Sequence, residues 1–174
     1  MKKIILIFLI YLTQFLNLSS NETKLEEIIT GLNSPWSFSF MTDEDILVTE
    51  KSGSLLKINL ATKKIDKFEH NLDILENGQG GLLEVLFNNN EIFVSYSENR
   101  GGGKSSTSVA KTILKNNTLN FKNIFRAEPP LNSGYHFGSR LVIKDNYLFI
   151  TAGERGKGMI AQDVAKHPGS IIRI

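Results

Sequence analysis

The side chain best placed to do chemistry is His136, one of three histidines in the chain. It sits in Gly134-Tyr135-His136-Phe137-Gly138-Ser139-Arg140-Leu141, with glycines on either side and a β-rich run after it. That context predicts a loop-to-strand junction. An imidazole there suits general-base work, since its ordinary pKa lies near neutrality; a structural histidine fits the same spacing. A second candidate is Gln79, in Asn77-Gly78-Gln79-Gly80-Gly81. The glycines let the backbone turn sharply, and the amide can both donate and accept hydrogen bonds. An ordinary tight turn fits equally well. In Thr151-Ala152-Gly153-Glu154-Arg155-Gly156, with Gln162-Asp163 beyond, Glu154 and Asp163 are candidates to bind a cation or position a polar ligand. A solvated loop salt bridge is the competing account and implies no function. Trp36, in Ser34-Pro35-Trp36-Ser37, is predicted to anchor the core of the first β-unit.

These segments hang on a recurrent β pattern. Trp36–Phe40, a polar turn at 42–45, and Ile46–Glu50 form one hairpin. Leu82–Phe87, Asn88-Asn89-Asn90 and Ile92–Tyr96 form a second, and Arg140–Ile143, Lys144-Asp145-Asn146 and Tyr147–Thr151 a third. Third strands are predicted at Leu55–Leu60, Val109–Leu114 and Ser170–Ile174, with outer strands at Lys64–Phe68 and Leu119–Phe125. The only helix candidate is Glu22–Ile29. The repeat spacing is near the ~40–50 residue period of propeller blades. The expected fold is therefore all-β, about three blades of a β-propeller, with a β-sandwich of similar hairpins as the alternative. The chain stops inside a strand, so a fragment of a longer protein is expected, or else a half-propeller that assembles with another chain.

The chain has 174 residues, a formal net charge of +2 and no cysteine. The scattered basic residues argue against a nucleic-acid partner. Disulfides, thiolate metal sites and cysteine nucleophiles are excluded. No phosphate loop, HExxH, EF-hand loop or GxSxG occurs, and the Gly101–Gly103 stretch is expected to be a flexible hairpin loop. At the N-terminus, Lys2 and Lys3 precede the apolar run Ile4–Leu12, and Ser19 and Ser20 follow. This is the layout of a cleaved signal peptide over 1–20, with an uncleaved anchor as the alternative. The run is shorter than the about 20 residues of a bilayer span. Residues 21–174 are then expected in the periplasm or outside the cell, without a membrane span after cleavage.

Taken in order, "SPWSFSF…DILVTEKSG", "GQGGLLEV", "IFVSYSE", "SGYHFGSRLV", "YLFITAGERG" and "AQDVAKHPGSIIRI" resemble the soluble aldose sugar dehydrogenases of the glucose/sorbosone dehydrogenase family, from about Leu32 to Ile174. The resemblance implies a six-bladed propeller of which this chain is the N-terminal half. It also implies pyrroloquinoline quinone (PQQ) and calcium as cofactors, an aldose substrate oxidised to its lactone, and an external electron acceptor. It makes His136 the catalytic base and places Gln79, Tyr135, Arg140 and Glu154 around substrate or cofactor; no metal ligand is assigned. Tyr135 stands where some relatives carry Asp, and "GERG" replaces the commoner "GDRG". Much of the cofactor cradle is expected beyond Ile174, so the isolated chain is expected to be inactive and poorly stable. A non-catalytic propeller binding module and a calcium-dependent propeller lactonase remain the alternatives.

Overall fold

The computed structural model describes residues 23–174, so the signal-peptide reading of residues 1–20 lies outside the described residues. Among the described residues twelve strands form three sheets in chain order, antiparallel except at one short edge strand. The first is β1 (Pro35–Phe40), β2 (Asp45–Glu50), β3 (Leu55–Asn59) and β4 (Ile65–His70). The second is β5 (Leu82–Asn88), β6 (Glu91–Asn99), β7 (Ser105–Ile113) and β9 (Lys122–Arg126). The third is β10 (Gly138–Lys144), β11 (Tyr147–Ala152) and β12 (Ser170–Arg173). A two-residue strand, β8 (Thr118–Leu119), leaves the second sheet and pairs in parallel with β4 at the edge of the first. These are three blades of a β-propeller.

The hairpins form where turn chemistry allows them. Asn89 and Asn90 adopt φ of 49° and 65°, and Asp145 and Asn146 adopt 51° and 64°. Two consecutive left-handed residues make the tight turn whose twist matches a strand pair, and Asn and Asp tolerate that conformation better than other non-glycine residues.

Period-two alternation gives each blade two faces, and both faces of the middle blade are covered. Leu47, Leu55 and Phe68 of the first blade pack with Leu82, Val85, Ile92, Val94 and Tyr96 of the second. Phe93 and Val109, on the opposite face, pack with Leu141, Leu148 and Ile150 of the third. Burial of each leucine is worth about 1.5–3 kcal/mol. Hydroxyls stitch the seams where backbone groups would otherwise lie dry. Ser39 Oγ accepts from Phe87 N at 2.9 Å, Ser95 Oγ donates to the Ser139 carbonyl at 2.7 Å, and Thr107 Oγ1 donates to the Phe137 carbonyl at 2.8 Å.

Three sequence expectations are corrected. Thr23–Ile29 carries no helix; so short a segment cannot sustain one alone, and Ile29 lies against the Ile46, Val48, Leu56 and Ile58 cluster instead. The predicted outer strand Leu119–Phe125 is split. Leu119 crosses to the first blade in β8, where it is 1% exposed, and only β9 edges the second. Trp36 is not a core anchor. It is 45% exposed and shares an open apolar groove with Phe38, Phe40, Ile28 and Leu32. The seam to the second blade takes Ser37 and Ser39, the residues of opposite parity.

Candidate active site

Strand direction brings four loops to one end of the blades. β5 and β10 start there, and β2 and β11 finish there. The contributing segments are 50–53, 77–81, 133–137 and 153–157.

Gly78-Gln79 forms a turn in direct contact with the Gly134 backbone. A Cβ at Gly78 would overlap the Gly134 carbonyl oxygen, so the close approach demands glycine. Gln79 N donates to the Gly134 carbonyl at 2.7 Å, and the Gln79 side-chain Oε1 accepts from His136 N at 2.8 Å. The amide therefore holds the backbone of His136. His136 adopts φ 47°, a left-handed conformation that costs a β-carbon residue about 1–3 kcal/mol and persists only where the surroundings fix it. Its carbonyl accepts from Arg155 N at 3.3 Å, and the next carbonyl, of Phe137, accepts from Gly153 N at 3.0 Å.

The imidazole Nδ1 of His136 is hydrogen-bonded to Glu154 Oε1, which also accepts from Gly156 N at 3.0 Å. The hydrogen bond from His136 is the main cause that holds the Glu154 carboxyl below the usual carboxylate range. Among the described residues Glu154 is the only partner of the ring, which leaves Nε2 open. With Nδ1 occupied by a carboxylate, a neutral ring keeps its lone pair on Nε2, the arrangement of an oriented base.

The other sequence-derived candidates divide. Tyr135 is 61% exposed, its ring edge-on to His136 with centroids 6.2 Å apart. Arg140 lies on β10, and its guanidinium pairs with Glu84 of β5 at 2.8 Å across the second seam. Burial pushes the Glu84 carboxyl up, and Arg140 offsets only part of that. Asp163 does not join Glu154: it bonds Lys166 at 2.9 Å and the Ala165 amide. The described residues hold no cluster of three or more His, Asp or Glu suited to a metal. For a quinone tricarboxylate the fit is better: the exposed Arg140 cation and the Gln79 amide are groups that bind carboxylate and carbonyl oxygen.

Two residues were missed from sequence. Glu84 sits in "LLEVLF" like any polar position of a strand. Arg155 is 2% exposed, yet nothing in "GERG" marks it as buried.

The fold and this end of it define a class: a β-propeller whose loops gather a histidine–carboxylate pair and a glycine-flanked amide at one mouth. The chain belongs to the Glucose / Sorbosone dehydrogenase family, which it matches over residues 32–174. It is 32% identical over 179 residues to the aldose sugar dehydrogenase YliI of Escherichia coli K12, covering 97% of this chain and 48% of that protein. It is 26% identical over 165 residues to quinoprotein glucose dehydrogenase B of Acinetobacter calcoaceticus, covering 86% and 34%. The apo crystal structure of the soluble aldose sugar dehydrogenase from Escherichia coli superposes with a TM-score of 0.80 at 34% identity, covering 86% of this chain and 46% of that one. The chain spans about half the length of the relatives named here, or less. No helix of the described residues is long and apolar enough to cross a membrane.

Proposed function

We propose that the protein carrying this chain is an exported, PQQ-dependent aldose dehydrogenase that oxidises the sugar's anomeric carbon to a lactone. Residues 1–20 serve as its export signal and 21–174 as the N-terminal half of its propeller. One observation carries the proposal: the His136 ring, oriented by Glu154 with Nε2 open, at a propeller mouth in a chain 32% identical to an aldose sugar dehydrogenase.

His136 Nε2 removes the proton of the anomeric hydroxyl, and Glu154 stabilises the imidazolium that results. As the O–H bond is lost the C–O bond becomes a carbonyl, and the anomeric hydrogen departs with its electron pair. PQQ, when bound, supplies the quinone that accepts this hydride, and an external acceptor later takes up the electrons. Gln79 fixes the His136 backbone through its Oε1. Its NH₂ and the Arg140 cation hold oxygen atoms of substrate or cofactor, and the exposed Tyr135 ring supplies a face for the sugar.

The test is dye reduction by the full gene product loaded with PQQ. Turnover that requires both PQQ and an aldose is expected. Sugar binding without oxidation would move the protein to the non-catalytic propellers.

A further inference from the structure

Arg155 is a cation the proposed chemistry does not use, and its environment is unusual. It is 2% exposed, and among the described residues no carboxylate pairs with it. Burial pulls its guanidinium down to about 10, which still leaves it charged at neutral pH. Its partners are almost all backbone oxygens. Nε donates to the Tyr135 carbonyl at 3.0 Å, Nη1 to the Ser105 carbonyl at 3.0 Å, and Nη2 to Ser105 Oγ at 2.9 Å and to the Ser133 carbonyl. The guanidinium plane lies over Phe137, 3.6 Å from the ring centroid.

These contacts converge on the His136 loop from both sides. Ser133 and Tyr135 precede His136, and Phe137 follows it. Phe137 is in turn the wall of the Gln79 turn: a Cβ at Gly80 would come within 2.7 Å of its ring. On the other flank, Arg155 is the residue after Glu154, and it is itself left-handed, with φ 59°. One side chain thus ties the backbone that carries the imidazole to the backbone that carries its carboxylate partner. It anchors both to β7 of the neighbouring blade through Ser105. The planar fork of a guanidinium has enough divergent donors to reach these four oxygens on two other segments at once.

We infer that Arg155 is a positioning residue: it clamps segments 133–137 and 154–156 to the second blade and thereby lays the His136 ring against Glu154. Its consequence for turnover rests on the proposed role of His136; the clamp itself does not.

The test is therefore spectroscopic and uses the ¹⁵N-labelled full gene product without cofactor. The ring nitrogens of His136 are assigned by their loss in His136→Gln, and Glu154→Gln gives the spectrum of a ring without its carboxylate. In Arg155→Met the His136 signals are expected to move more than halfway to the Glu154→Gln positions. Arg155→Lys, which keeps the charge but has too few donors to reach all four oxygens, is expected to fall between Arg155→Met and wild type. A folded Arg155→Met whose His136 signals match wild type overturns the inference. If that variant does not fold, Arg155→Lys decides: an intermediate spectrum supports the clamp and a wild-type spectrum overturns it. Absence of sugar oxidation in the PQQ-loaded protein would remove the proposed function while leaving these spectra to stand or fall alone.

Discussion

Replacing Glu154 by Gln keeps the shape of the side chain and removes its charge. The oxygen that meets His136 Nδ1 and Gly156 N becomes an amide group, and the imidazolium formed on proton uptake loses its counter-ion. Two unit charges about 4 Å apart attract by about 1 kcal/mol in water and about 4 kcal/mol at an effective dielectric constant of 20. The ring is 54% exposed and the carboxylate 27%, so the watery limit is the nearer one. A loss of about 1–2 kcal/mol follows, or roughly five- to thirtyfold in kcat/KM. Full removal of a general base costs about 10²–10⁴-fold. The assay is steady-state dye reduction by the PQQ-loaded gene product across pH. Because hydrogen bonding from His136 lowers the Glu154 carboxyl from its ordinary value of 4.5, the contact is present above that value and lost as pH falls through the depressed one. The gap between Glu154→Gln and wild type should therefore close on the acid side. Equal rates near neutrality would refute the oriented-base reasoning. A loss as deep as that of a His136 variant would make Glu154 the base instead.

Other perturbations probe the supports. Gln79→Ala removes the acceptor of the His136 amide and should lower kcat/KM by roughly two- to tenfold, from the about 0.5–1.5 kcal/mol of a typical hydrogen bond. Glu84 is raised by burial, so its contribution to stability is present below the ordinary carboxylate pKa and is lost as pH rises through its own. Glu84→Gln should therefore gain Tm relative to wild type on going from pH 4 to pH 7, by differential scanning calorimetry. Burial, then the Glu98 charge, push Tyr96 up to about 12; absorbance at 295 nm should show a late phenol ionisation that Tyr96→Phe abolishes. Leu55→Ala, at the seam of the first two blades, should cost about 2–5 kcal/mol in denaturant unfolding.

The blades were legible because two local signals agree: alternation in the strands, and Asn-Asn or Asp-Asn at the turns. The loop ends of β5 and β10 were legible from glycines that only a close backbone approach explains, as at Gly78. Alternation does not say which face receives the next blade. Trp36, Phe38 and Phe40 look like core by their chemistry, yet the seam takes Ser37 and Ser39, whose hydroxyls satisfy the amides of β5. Likewise Leu119 reads as part of one outer strand, but it crosses to β4, a pairing set by tertiary contact rather than propensity. Gln79, Glu154 and His136 were each singled out from sequence. The specific contacts were not: Gln79 Oε1 with the His136 amide, 57 residues on, and Glu154 with the imidazole. Arg155 left no trace, because burial of an arginine among carbonyls depends on backbone drawn from distant segments.

In the proposed reaction the open Nε2 of His136 takes the proton of the sugar's anomeric hydroxyl. The most direct test of this step is single-turnover aldose oxidation by His136→Gln in the PQQ-loaded gene product, with cofactor binding measured in the same sample. Cofactor binding is expected to be retained and the rate to fall by about 10²–10⁴-fold. A wild-type rate would contradict proton removal by His136.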